Sequence, residues 1–146
     1  MPKEFILRGK TAIGGTETLN FSGSKPGYGY RLVEFQLFPS TDLATDFELT
    51  ACVTAGKAAL DPQAADFNDE GLIGSIILKG AAATNYDITS VTVINDTFTI
   101  TQDLFLTVFA TAGGGDINWQ CKFKEVKLST SAQAVANYKQ FAIFDD

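Results

Sequence analysis

The chain has 146 residues, carries 11 Lys plus Arg against 17 Asp plus Glu for a formal charge of −6, and contains no histidine. This length suits one domain, residues 1–146, that can bury a core without staples, while the missing histidine removes the commonest general base and metal ligand. Lys122, Lys124 and Lys127 are interleaved with Phe123, Glu125 and Val126, so no basic run grips a phosphate backbone, and no nucleic-acid partner is expected.

The opening Met-Pro-Lys-Glu-Phe-Ile-Leu-Arg lacks the apolar stretch of a signal peptide, and nowhere do eighteen apolar residues run together, so the expectation is synthesis in a cytosol without membrane contact. Glu4 to Arg8 and Thr18 to Ser22 read as short strands, the second with Leu19 and Phe21 on one face. Tyr30 to Phe38 reads more strongly: Val33, Phe35 and Leu37 share a face, with Arg31 in phase at the strand's end, and Glu34 and Gln36 face the other way. After a turn at Pro39-Ser40-Thr41, Phe47, Leu49, Ala51 and Val53 alternate with Glu48, Thr50, Cys52 and Thr54, the pattern of a half-buried strand.

Ala55 to Gly71 breaks the rhythm and reads as a long loop with one helical turn, and a loop of that length in a compact domain usually has a task. Strands resume over Leu72–Lys79 and Ile88–Ile94, and Asn95-Asp96 gives a tight-hairpin signal leading to Phe98–Thr101. Leu104 to Thr111 is apolar on both faces and reads as a central strand. After the Gly113-Gly114-Gly115-Asp116 turn, Ile117, Trp119, Cys121 and Phe123 face inward. Val126 and Leu128 fall on the opposite parity, and a β-bulge near Lys124-Glu125 would account for it. Ala134, Tyr138 and Phe141 at helical spacing predict a short C-terminal helix over about 131–141, capped by Ser129 or Ser131. The fold class is therefore all-β, a β-sandwich of the jelly-roll kind with that helix appended. Its expected core holds Val33, Phe35, Leu37, Leu49, Val53, Leu106, Val108, Trp119 and Phe123.

The motifs that suggest chemistry have plainer readings. Gly9-Lys10-Thr11 resembles the end of a phosphate-binding loop, but its first glycine would fall at Glu4 with no apolar strand before it. Ser22-Gly-Ser-Lys25 matches Ser-x-x-Lys in letters, yet Gly23 and Pro26-Gly27 oppose the helix that motif requires. Asp61, Asp66, Asp69 and Glu70 lack EF-hand spacing and read as a solvated acidic loop. Glu34 and Glu48 are strand carboxylates with no sign of facing across a cleft as a glycosidase pair. Cys52 and Cys121, without Cys-x-x-Cys spacing, read as small buried hydrophobes, although a bridge between them stays geometrically open. The Asn20 and Asn95 sequons read as accidental. No catalytic, cofactor or metal residues are assigned, and the chain reads as a non-enzyme.

The aromatic residues offer contact surface instead. Tyr28 and Tyr30, spaced by glycine, suit a sugar-stacking or protein-anchoring role, and packing at a strand entrance serves Tyr30 equally well. Phe141 and Phe144 either close the core or dock on a neighbouring subunit.

The opening ten residues, Pro26-Gly-Tyr-Gly-Tyr-Arg-Leu32, Asn118-Trp-Gln-Cys121 and Asn137-Tyr-Lys-Gln-Phe141 together resemble a group of small proteins of marine bacteriophages. The resemblance implies a virion structural protein, a minor capsid or decoration protein of β-sandwich type that binds capsid subunits and its own copies as a homo-oligomer. The rival expectation is a carbohydrate-binding sandwich, for host attachment or free-standing, with Tyr28, Tyr30 and Trp119 as stacking platforms.

Overall fold

The computed structural model describes residues 3–21, 27–40, 46–56, 62–80, 89–112 and 115–129. The expected helix over 131–141 lies outside them. Among the described residues, alternating apolar and β-branched residues form eight strands: β1 (Glu4–Thr11), β2 (Thr16–Leu19), β3 (Tyr28–Pro39), β4 (Phe47–Ala55), β5 (Leu72–Gly80), β6 (Thr89–Ile94), β7 (Leu104–Ala112) and β8 (Ile117–Lys127). They pair antiparallel in a three-stranded sheet, β1-β8-β3, and a five-stranded sheet, β2-β7-β4-β5-β6.

The two sheets make the sandwich-like, all-β arrangement expected. The strand expected over Phe98–Thr101 is reduced to one bridge to β3, in which Tyr30 and Ile100 exchange backbone hydrogen bonds of 2.9 and 2.7 Å. One core fills the space between the sheets, with Leu32, Phe123, Leu104, Leu106, Val53 and Val108 fully enclosed. At one end Phe5, Phe21, Tyr30 and Phe123 form an aromatic cluster whose ring centroids lie 4.9–6.2 Å apart.

Three sequence expectations are corrected. The bulge is on β3, not at Lys124-Glu125: Leu32 pairs with Phe123 and Glu34 with Lys122, leaving Val33 as the extra residue, while pairing runs unbroken past Lys124 and Glu125. The inward set on β3 is thus Tyr30, Leu32, Phe35 and Leu37, Arg31 points outward, and Val33 is only half-buried. Every other residue of the expected core is buried.

The Asn95-Asp96 turn is not a hairpin joining paired strands. The Asn95 side-chain oxygen accepts from both the backbone N–H and the hydroxyl of Thr97, an Asx-type turn. It carries the chain from β6 in one sheet to the Ile100 bridge on the other.

β4 is buried on both faces rather than one, since Thr50, Cys52 and Thr54 are as enclosed as Leu49 and Val53. The long loop contributes to this cover: Ala55 N–H donates to Gly71 O, and the Cys52 thiol lies 3.7 Å from the buried Pro62 carbonyl. β7 lies between β2 and β4, the central position expected of its two apolar faces.

Phe35→Ala and Leu106→Ala should each cost about 2–5 kcal/mol in denaturant unfolding, and Val33→Ala clearly less. Thr50 Oγ1 is buried without a hydrogen-bond partner, so Thr50→Val should raise stability by about 1 kcal/mol, because it removes a polar group that lost its water for nothing.

Candidate functional site

Among the described residues, no group of three His, Cys, Asp or Glu side chains is placed to hold a metal ion. Glu34 and Glu48 lie on different sheets, and Glu48 pairs with Lys79 at 3.6 Å, so the two carboxylates do not form a facing acid–base pair. Asp66 and Asp69 accept from the backbone N–H groups of Asn68 and Gly71 at 2.9 Å; they shape turns. Asp61 and the Ser22–Lys25 motif fall outside the described residues.

Gly9-Lys10-Thr11 is the end of β1, extended and paired with β8, and cradles nothing. Gly9 stands opposite Trp119, where an added Cβ would come 2.8 Å from the indole ring. The ring is pinned in place: its Nε1–H donates to Thr11 Oγ1 at 2.9 Å, and that hydroxyl donates to Glu17 at 3.0 Å. The glycine therefore makes room for tryptophan, a packing reason with no phosphate in it.

Cys52 and Cys121 share no disulfide and are buried on different sheets, as expected of small core residues. Burial pushes the Cys121 thiol up to about 12, so it stays protonated at neutral pH and makes a poor nucleophile.

Of the expected contact residues, Tyr28 is half-buried at the start of β3. Tyr30 goes to the core, 8% exposed within the aromatic cluster. Trp119, at 7% exposed, is likewise unavailable as a stacking platform. Phe141 and Phe144 lie outside the described residues.

The surfaces that are open were not singled out from the sequence. One is the edge strand β6, with Val91 and Val93 exposed beside Ile77 of β5. A second is a cleft of about 520 Å³ where the sandwich opens between β3 and β6, with Val33 and Glu34 on one lip and Ser90 and Thr92 on the other. The third is the outer face of the three-stranded sheet. Among the described residues, strand alternation places the exposed Arg8 and Lys10 and the half-buried Arg31, Lys122 and Lys124 there, against Glu4 and Glu34 among the acids. The interleaving that disperses lysines along β8 gathers them on one side of the sheet, which is the signal a search for basic runs passes over.

No helix among the described residues is long and apolar enough to cross a membrane.

Two outcomes follow for the packed site. Gly9→Ala should lower stability by about 1–3 kcal/mol, the usual cost of overpacking. Because the Cys121 thiol holds its proton in the folded state up to about 12 against 9.0 for the free group, the unfolded chain binds fewer protons between those values. Stability should therefore fall as pH rises through that window, by up to about 1.4 kcal/mol per pH unit, and comparison with Cys121→Ala isolates this contribution from other alkaline titrations. No protein-family model matches the chain, and no curated protein matches it.

Proposed function

We propose that the chain is a non-catalytic virion structural protein, a capsid decoration or minor capsid protein that docks on shell subunits and on its own copies through protein–protein contacts. The observation that carries this reading is the β6 edge. Natural proteins guard edge strands with lysine, proline or a bulge, whereas β6, Thr-Ser-Val-Thr-Val-Ile, has no charge, no proline and continuous register with β5.

Its outward residues add apolar area to the open backbone. Val91 pairs with Ile77, they are 55% and 39% exposed, and Val93 follows at 46%. Phe67, 68% exposed, borders the same groove as Val93 from the preceding loop. Backbone groups along an edge that pairs with no strand among the described residues, beside side chains that gain by leaving water, suit strand addition by a neighbouring protein.

The resemblance to marine phage proteins supplies the shell as the partner and the virion as the location, with synthesis in the host cytoplasm. β-Sandwiches, jelly rolls among them, serve in viral capsids and in lectins alike, so the fold is compatible with both readings and chooses neither. The sugar-stacking alternative built on Tyr28, Tyr30 and Trp119 loses two of its three rings to the core.

The Val91→Lys/Val93→Lys variant should lower affinity for bare shells about thirtyfold or more, the loss expected when an apolar anchor worth about 2 kcal/mol is removed. Its unfolding midpoint should stay near the wild-type value, because both positions are exposed. Undiminished binding by this variant, or purified particles that lack the protein, would contradict the proposal.

A further inference from the structure

We infer that the outer face of the three-stranded sheet binds an acidic polysaccharide chain in a groove that crosses its strands. The inference does not rest on the β6 docking surface, which belongs to the other sheet.

Three consecutive residues from each of β1, β8 and β3 line a groove of about 500 Å³ with no contribution from the five-stranded sheet, which places it on the outer face. Its floor is the backbone of the row Gly9–Trp119–Leu37, whose side chains turn inward. Its walls are the flanking rows, Lys10–Asn118–Phe38 on one side and Arg8–Gln120–Gln36 on the other. Rows two residues apart are about 6–7 Å from each other, and three strands span about 10 Å, so the groove takes an extended chain of roughly two sugar rings at a time.

The wall chemistry selects the occupant. Asn118, Gln120 and Gln36 present carboxamides, each of which donates and accepts. A hydroxyl does both as well, and a row of hydroxyls uses both halves of every amide. A phosphodiester only accepts, so it leaves the amide oxygens facing oxygen. Arg8 and Lys10 supply cations at the β1 end, and no carboxylate among the described residues lines the groove; these cations pair with acidic groups on the sugars. At the β3 end Phe38, 65% exposed, offers a ring face whose negative quadrupole attracts the C–H hydrogens of a pyranose.

The surrounding charge favours the same ligand. In a chain of net charge −6, a local excess of cations on one sheet face draws a polyanion to that face and not to the rest of the surface. Of the two carboxylates sharing the face, Glu4 is already paired with Lys122 at 3.2 Å.

The test is calorimetric titration of the full chain with tetragalacturonate and with a heparin tetrasaccharide, which separate carboxylated from sulfated sources, with maltotetraose and an oligothymidylate as controls. At least one acidic oligosaccharide should bind, about tenfold or more tighter than the neutral one. Arg8→Gln and Lys10→Gln should each weaken it about tenfold, and Phe38→Ala about threefold or more. All three variants should keep the wild-type unfolding midpoint, since the side chains are exposed.

No binding of either acidic oligosaccharide at about 1 mM, the weak end of specific recognition, would overturn the inference. So would tighter binding of maltotetraose or oligothymidylate, or affinity that Arg8→Gln and Phe38→Ala leave unchanged. None of these results bears on shell occupancy, which the Val91→Lys/Val93→Lys variant reads separately.

Discussion

Pairing of β8 along both edges sets the position of nearly everything else in the three-stranded sheet. Its inward residues Ile117, Trp119, Cys121 and Phe123 are each matched on both sides, by Thr11, Gly9, Leu7 and Phe5 of β1 and by Pro39, Leu37, Phe35 and Leu32 of β3. The rows are complementary in volume: the largest side chain sits beside glycine, and the small cysteine sits between leucine and phenylalanine. A slip of one residue would turn every one of these groups to the opposite face. The bulge at Val33 is what keeps both halves of β3 in phase with this row, because it lets Leu32 and Phe35 both point inward although their parity differs.

That arrangement also decides what the surface can do. With the inward set fixed, the outward set on the same strands is fixed too, and it is basic and rich in carboxamides in a chain that is acidic as a whole. The five-stranded sheet ends differently, on an uncharged edge strand with exposed valines. The two outer surfaces therefore differ in the forces they offer, electrostatic and hydrogen-bonding on one, apolar and backbone pairing on the other, and neither requires a titrating group near neutrality.

Much of the fold was legible because period-two patterning is a local property. The inward faces of β4, β7 and β8 and the central place of β7 follow from alternation and from two apolar faces. The bulge was placed on the wrong strand because Val33 is apolar and stays in phase with Phe35 and Leu37. Only pairing with β8 reveals that Leu32 takes the inward place. The turn at Asn95 was recognised, but whether a turn joins neighbours in one sheet or crosses between sheets is settled by distant contacts, here with Ile73 and Tyr30.

The candidate sites were less legible for the same reason. Tyr30 reads equally as a contact residue and as packing at a strand entrance, and only the distant ring cluster decides between them, whereas the inward place of Trp119, bonded to Thr11, follows from its alternation with Cys121 and Phe123. The basic face is invisible along the chain because its residues come from three strands far apart in sequence. The central claim, that the register of β3 on β8 fixes both the core and the outer face, is tested most directly by interstrand proton contacts in solution NMR. The account predicts contacts between Leu32 and Phe123 and between Glu34 and Lys122, with Val33 opposite no residue of β8. Unbroken pairing that set Val33 against Lys122 and Glu34 against Cys121 would contradict it.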